Sequence, residues 1–219
     1  MSALDQDLNS RQIWTYGLEA MKKMAASSVA VLGMNGLGAE VAKNLILANV
    51  KHVALLDDRD AVVADLSTHF YLSEQDIGHN RARACRDRLQ ELNPAVCVTS
   101  QQINLNDYFS AATLLSQQGI GTVVLCDVSL NEAEKLNTFC RQQIPPINFV
   151  MAQACGLCFR VFSDFGPTII STTTSSSSNA ATDVTTTTSS FTFVSIETPY
   201  TVRWILSSFI NFCHHINEY

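Results

Sequence analysis

Apolar positions along the chain alternate between two spacings as far as about residue 165. Continuous apolar runs at 28–33 and 52–56 are separated by 37–48, where apolar residues recur at helical spacing. Further strands are predicted at 96–100, 122–126, 147–151 and 157–162, and helices at 18–24, 80–92, 107–117 and 131–143. Apolar strands alternating with helices of this length are typical of βαβ units. The predicted fold class is α/β, a doubly wound, mostly parallel sheet with helices on both faces.

The pattern changes after Gly166 and Pro167. Between residues 171 and 190, 15 of 20 residues are Ser or Thr, and neither a helical nor a strand period is visible. Such composition predicts a low-complexity segment without regular structure. We therefore divide the chain into an α/β domain (1–166), a Ser/Thr-rich linker (167–190) and a C-terminal tail of unknown role (191–219), which is too short to fold alone.

Composition excludes several classes of protein. The chain has 219 residues, a net charge of −6 and a pI near 5.3, which does not favour nucleic acid or an anionic membrane as partner. The first twelve residues have neither a basic nor an apolar signal-peptide region. The apolar stretch 200–213 contains Arg203 and is too short to span a bilayer. We expect a protein of the cytoplasm or the nucleus.

The cysteines support the same compartment. Their odd number, in mostly apolar surroundings, predicts reduced thiols in the core. Two of them, Cys155 and Cys158, have C-x-x-C spacing, but zinc needs a second pair of ligands, so core thiols are the favoured interpretation here too and no metal site is expected. The seven are Cys85, Cys97, Cys126, Cys140, Cys155, Cys158 and Cys213.

A glycine-rich loop joins the first predicted strand to the helix that follows. Gly33, Gly36 and Gly38 stand where a Rossmann-like sheet binds phosphate, because glycine lets backbone amides at a helix N-terminus approach the ligand. Asp57 follows Gly38 by 19 residues, at the end of the second strand, where an acid often binds ribose hydroxyls. Asn35 occupies the second glycine position and would crowd a phosphate. Two interpretations stay open: a nucleotide site, or glycines that only permit tight strand–turn–helix packing.

Five motifs in order carry a more specific signal than the glycine loop. They occupy residues 10–12, 17–21, 36–47, 64–67 with 70–72, and 76–78 with 80–82. Together they resemble the N-terminal, non-catalytic adenylation half of ubiquitin-activating enzyme, over roughly residues 8–166. The small subunit of the SUMO-activating enzyme, also of the ThiF/MoeB-like superfamily, is the next most similar. The resemblance disfavours a nicotinamide-dependent dehydrogenase, the generic interpretation of such a loop.

The resemblance implies a division of labour between two related halves that pack as a pseudo-dimer. In that family only the second half binds ATP and Mg²⁺ and adenylates the modifier, which then passes to a cysteine as a thioester. Because residues 1–166 resemble the first half, the resemblance implies that they form an inactive adenylation domain that needs no cofactor of its own. The resemblance also implies that Arg11, in the N-terminal Arg-Gln motif, reaches the ATP site of the partner half in trans, a role that suits the planar guanidinium.

Departures from the catalytic pattern indicate a degenerate nucleotide site. Ser67 and Thr68 stand where the family's catalytic half has an Asn-Arg pair, and a hydroxyl cannot replace a forked positive charge. Val128 replaces an Asn. Arg81 stands in place of a lysine, and Asp127 keeps the position of a magnesium-binding acid. We expect this site not to be used; the alternative for the last two residues is a solvated helix arginine and a strand-end acid.

Four hypotheses about function remain open. The leading one is a non-catalytic half or subunit of a ubiquitin-activating enzyme, with the catalytic half and a ubiquitin-like protein as partners. The others are the small subunit of the SUMO-activating enzyme, a self-sufficient homodimeric ThiF/MoeB-type adenylyltransferase, and a truncated fragment that only binds a partner.

Overall fold

The computed structural model describes residues 9–104, 115 and 118–166, and the backbone alone of 169–176 and 184–191. The main elements alternate between strand and helix after an N-terminal helical pair. In chain order they are α1 (Ser10–Tyr16), α2 (Leu18–Ala26), β1 (Ser28–Leu32), α3 (Gly36–Leu47), β2 (His52–Asp57), two 3₁₀ turns (Val63–Ser67 and Glu74–Asp76), α4 (Arg81–Gln90), β3 (Cys97–Gln102), β4 (Thr122–Cys126), α5 (Leu130–Gln142), β5 (Asn148–Cys155), β6 (Cys158–Asp164), β7 (Ile169–Ser176) and β8 (Val184–Phe191).

Six strands form one sheet in the order β3-β2-β1-β4-β5-β6. The first five pair in parallel, and β6 returns antiparallel to β5. The strand order reverses between β1 and β4, so the carboxyl ends of these two strands open a crevice, the usual ligand position in such sheets. The predicted α/β, mostly parallel fold class is confirmed.

The core lies on both faces of this sheet. One apolar cluster joins the strands to α5 through Ala133, Leu136 and Cys140. The other cluster packs α3 and α4 against the opposite face, with Ile46 and Leu89 fully buried. Helices therefore cover both faces, as predicted, and this explains why the central strands consist almost wholly of apolar residues.

Local signals account for where the helices begin. The N-cap side chains of Asn35, Asn80 and Ser129 each accept a backbone hydrogen bond in the first turn of α3, α4 and α5. At α5 the carboxylate of Glu132 also accepts from the Ser129 amide at 3.0 Å, which completes a capping box. The predicted helix at 107–117 lies outside the described residues, apart from Leu115.

The Ser/Thr-rich segment differs from the prediction. The structure pairs β7 and β8 as an antiparallel two-stranded sheet, so the expectation of no regular structure is wrong for residues 171–176 and 184–190, while 177–183 lie outside the described residues. The physical reason is that β-branched threonine favours extended backbone, whatever the repetitiveness of the sequence. The proposed boundaries of the linker and the tail stay a prediction.

The cysteines divide into two groups. Cys85, Cys126 and Cys140 lie in the core as predicted, and burial raises the pKa of each thiol to about 12. The prediction is wrong for Cys97, Cys155 and Cys158, which are exposed at the ends of edge strands or of a hairpin. Apolar neighbours in the sequence misled it, because Cys97 begins an edge strand and Cys155 and Cys158 flank the turn of the β5–β6 hairpin. Cys213 lies outside the described residues.

Tight packing at the start of α3 gives a testable prediction. A Cβ on Gly38 would lie 2.0 Å from the carbonyl oxygen of Gly33, a backbone atom that cannot move away alone. We expect Gly38→Ala to lower the free energy of unfolding by about 1–3 kcal/mol, measured by urea denaturation. Gly121→Ala is the matched control, since no described atom lies within 4 Å of its added Cβ, and its effect should stay below about 1 kcal/mol. Equal losses in both variants would contradict this explanation.

Candidate functional site at the glycine loop

The glycine loop lies at the carboxyl end of β1, in the crevice where the strand order reverses. Each of its three glycines has a packing reason. A Cβ added to Gly33, whose φ is +89°, would lie 2.5 Å from the carbonyl oxygen of Cys126. A Cβ added to Gly36 would lie 2.7 Å from the carbonyl oxygen of Thr68. With the contact at Gly38 given above, the interpretation of tight strand–turn–helix packing holds for all three positions. In particular, Thr68 packs directly against Gly36.

Asn35 occupies the position where a phosphate would meet the helix N-terminus. Its side-chain oxygen accepts a hydrogen bond from the Gly38 amide at 3.0 Å, and its Nδ2 donates to the carboxylate of Asp127. The free amides of a first helical turn are the groups that bind phosphate in such loops. Here the protein's own side chain already satisfies one of them.

Asp57 is fully buried and accepts four hydrogen bonds. Its Oδ2 accepts from the Met34 amide at 2.6 Å and from Arg81 Nε at 3.0 Å. Its Oδ1 accepts from the Arg59 amide at 2.9 Å and from Arg81 Nη2 at 3.1 Å. Since a carboxylate offers about four acceptor positions, none is left for ribose hydroxyls. The structure thus places the predicted ribose acid at the right strand end, but uses its capacity within the protein.

Arg81 is the partner that saturates Asp57. It is 7% exposed, and its Nη1 also donates to Asp65 at 3.2 Å. Burial alone would lower the pKa of Arg81, but hydrogen bonds and charge from Asp57 outweigh it and raise the pKa, so the guanidinium stays charged. The interpretation of Arg81 as a solvated helix residue is therefore wrong. Three of its five N–H groups, including the fork that contacts the Asp57 carboxylate, are thus engaged within the chain.

His69 lies beside this ion pair and was assigned no chemistry from the sequence. It is 1% exposed; its Nδ1 accepts from the Tyr71 amide at 3.3 Å, while its Nε2 has no hydrogen-bond partner among the described residues. Burial, reinforced by the positive charge of Arg81, lowers the pKa of His69, which keeps the ring neutral near neutral pH. This neutral ring adds no charge for holding phosphate.

Asp127 ends β4 across the crevice and is exposed, with a positive φ of 50°. Its Oδ1 accepts from the Ala154 amide at 2.9 Å, and its other oxygen accepts from Asn35. Beside it, Val128 is partly buried and packs against the core. No group of three or more potential metal ligands occurs among the residues that the structure describes. Asp127 is thus a strand-end acid that ties β5 to the glycine loop.

Arg11 lies apart from these contacts. It is exposed on α1, and within the described part of the chain its guanidinium makes no hydrogen bond or ion pair. No residue of α1 is buried, and Trp14 is 91% exposed on the same short helix. The structure therefore does not bring Arg11 to the glycine loop of its own chain.

Taken together, the residues present do not fit a bound nucleotide. The ribose acid is saturated by Arg81 and two backbone amides, a phosphate-binding amide is capped by Asn35, and Thr68 packs directly against Gly36. Sequence reasoning identified all four of these residues but missed their mutual contacts. It also missed Asp65, for which the only signal was an acid in the 64–67 motif.

Comparison with known proteins assigns the chain to a family. The sequence pattern of the ThiF family matches residues 9–197, and the chain belongs to that family. Among its relatives are ubiquitin-activating enzyme E1 1 of Triticum aestivum (46% identical over 75% of this chain) and ubiquitin-like modifier-activating enzymes 6 and 1 of Homo sapiens (44% over 74% and 43% over 77%). The resemblance to ubiquitin-activating enzymes is confirmed. The chain spans only about 15% of the length of each of these relatives.

Solved structures support the fold alone. The tRNA N6-threonylcarbamoyladenosine dehydratase TcdA of E. coli superposes with a TM-score of 0.56 at 20% identity, covering 67% of this chain and 59% of that one. MccB of E. coli superposes with a TM-score of 0.56 at 21% identity, covering 66% and 44%. Within the described residues, no helix is long and apolar enough to cross a membrane.

The buried ion pair gives the prediction of this section. Arg81→Ala would leave the Asp57 carboxylate buried without its counter-charge, so we expect a loss of about 3–5 kcal/mol in the free energy of unfolding. Arg81→Lys keeps a charge but not the fork, and should lose less.

The matched control is Arg59→Ala, measured by the same urea denaturation. The Arg59 side chain is 73% exposed and 3.8 Å from Asp58, while its amide, which binds Asp57, is kept in the variant. Its effect should stay within about 0.5 kcal/mol. A loss at Arg81 no larger than the loss at Arg59 would refute the structural role of the pair.

Proposed function

We propose that this chain is the non-catalytic adenylation half, or the corresponding subunit, of a ubiquitin-activating enzyme. It would scaffold a separate catalytic half that binds ATP and Mg²⁺ and activates ubiquitin or a ubiquitin-like protein. The single observation that carries this proposal is the saturated Asp57 carboxylate, whose four hydrogen bonds come from the protein itself.

The geometry of the crevice supports a scaffold over a self-sufficient enzyme. An adenylating site needs donors free to meet phosphate oxygens and an acid free to meet ribose. Here Arg81 and Asn35 are both engaged within the chain. Thr68 brings a hydroxyl where the family's catalytic half brings charge. These features disfavour the homodimeric ThiF/MoeB-type adenylyltransferase.

The N-terminal helix supports a role that needs a partner. Arg11 is exposed and, among the described residues, its guanidinium makes no polar contact within the chain, as a residue acting in trans requires. The exposed aromatic rings of Trp14 and Tyr16 on the same helix favour burial against another protein surface. In this proposal the Arg11 guanidinium would bind phosphate oxygens in the ATP site of the catalytic half.

The names of the relatives favour one of the remaining alternatives. The matched proteins named above carry the words ubiquitin-activating or ubiquitin-like modifier-activating, which favours a ubiquitin-type enzyme over the small subunit of the SUMO-activating enzyme. A fragment that binds a partner without supporting catalysis is the competing proposal. The proposed setting is the cytoplasm, the nucleus or both.

ATP–pyrophosphate exchange in the presence of ubiquitin tests the proposal. We expect no exchange by this chain alone and none by a catalytic half deprived of its own non-catalytic half. Mixing the two should restore exchange. Exchange by this chain alone would refute the non-catalytic assignment, and a mixture that assembles but stays silent would favour the fragment.

The same assay tests Arg11. We expect Arg11→Ala to lower exchange by the mixture roughly tenfold or more, because an arginine supplied in trans stabilises charge on the reacting phosphates. Arg11→Lys should also be impaired, since a point charge does not replace the planar fork. Assembly, followed by size-exclusion chromatography, should not change. Arg83→Ala, an exposed arginine on α4, is the control and should keep full exchange; an Arg11→Ala variant as active as this control would rule out the role in trans.

A further inference from the structure

The hairpin between β5 and β6 carries two cysteines that the proposed function does not use. Cys155 is the last residue of β5, Cys158 is the first of β6, and the two are paired directly across the hairpin. Gly156 and Leu157 form the two-residue loop between them. Gly156 has a φ of +59°, as the first central residue of a type II′ turn requires. The turn therefore fixes the register that places one cysteine opposite the other.

Backbone hydrogen bonding defines the distance between them. The amide of Ala154 points away from β6, toward Asp127, so the next residue, Cys155, points its backbone groups toward β6. Cys155 and Cys158 are thus a hydrogen-bonded antiparallel pair, with Cα atoms about 5.5 Å apart. This separation lies within the range that disulfides span, and directly opposed side chains leave the sheet on the same face.

These two thiols differ from the other described cysteines in having an accessible partner. Both are exposed, and neither is part of a disulfide in the structure. Cys85, Cys126 and Cys140 are buried, and the exposed Cys97 lies on β3, at the opposite edge of the sheet from β6. Within the described residues, Cys155 and Cys158 therefore have only each other as a partner in the register of the sheet.

We propose that Cys155 and Cys158 form a reversible thiol–disulfide site whose co-reactant is a low-molecular-weight disulfide of the glutathione type. One cysteine thiolate attacks a sulfur of the co-reactant, whose S–S bond breaks and releases one thiolate with the electron pair. The second cysteine thiolate then attacks the protein sulfur of this mixed disulfide and releases the other small thiol. The two protein thiols are oxidised to one disulfide, and the co-reactant is reduced to two thiols, which take up the two protons.

Exposure makes this bond reversible. An exposed disulfide is open to attack by a reducing thiol, whereas structural disulfides are shielded and resist reduction. Cys155 and Cys158 are exposed at the hairpin tip, beside the exposed apolar side chains of Leu157 and Phe159. The site does not depend on the proposed role in modifier activation.

Thiol mapping of the full chain tests the proposal. The protein is equilibrated in mixtures of reduced and oxidised glutathione, quenched with acid and alkylated. It is then digested with trypsin, and the masses of the peptides are measured by mass spectrometry. Cleavage after Arg141 and Arg160 gives a peptide of residues 142–160 that contains Cys155 and Cys158 and no other cysteine. We expect this peptide to lose two hydrogens and to escape alkylation at both positions as the oxidised fraction rises. Adding excess reduced glutathione should reverse the change.

Two comparisons make the test decisive. Cys158→Ser should abolish the internal bond, while the control Cys97→Ser should leave it unchanged. The folded chain should reach half-conversion at a lower proportion of oxidised glutathione than the same chain in concentrated urea, because the hairpin already holds the thiols together. The proposal would be overturned if both cysteines remained alkylated, or carried separate glutathione adducts, at every proportion of oxidised glutathione. It would also be overturned if the folded and unfolded chains reached half-conversion at the same proportion.

Discussion

The buried carboxylate of Asp57 is the constraint on which the rest of the site depends. A carboxylate without exposure is unfavourable unless its charge and its acceptor positions are matched. Arg81 provides the charge from α4, and the Met34 and Arg59 amides provide the remaining donors from the glycine loop and from the end of β2. One group therefore joins the loop, a strand end and a helix. The same four bonds that stabilise this corner use up the acceptor capacity that a ribose would need.

A second contact engages the polar groups at the N-terminus of α3 in a similar way. Asn35 caps α3 and donates to Asp127, so a single side chain satisfies a helix amide and connects the carboxyl ends of β1 and β4. The Rossmann-like fold is thus retained while polar groups at its crevice serve the protein's own structure. The fold does not by itself determine function here. The strand order determines where a site can lie, but not whether its hydrogen-bond donors are free to bind a ligand.

Much of the fold could be predicted from the sequence because parallel strands covered on both faces consist of nearly continuous apolar runs, as in 28–33 and 52–56. The glycine loop was predictable from its position, and the family from five ordered motifs. The Asp57–Arg81 pair was not, since its members lie 24 residues apart on different elements and no local spacing links them. The strand pair β7–β8 was missed because repetitive Ser and Thr conceal any period. The exposure of Cys155 was missed because the sequence does not show that this residue lies at the tip of a hairpin.

Equilibrium binding of ATP with Mg²⁺ to the isolated chain tests the central claim most directly. Radiolabelled nucleotide in equilibrium dialysis reports occupancy without requiring any partner or reaction. If the protein's own groups occupy the acceptor positions of Asp57, and Asn35 occupies an amide at the N-terminus of α3, we expect no saturable binding at millimolar nucleotide. Saturable binding that competes with AMP would show that Arg81 and Asn35 yield to a ligand, and it would contradict the account.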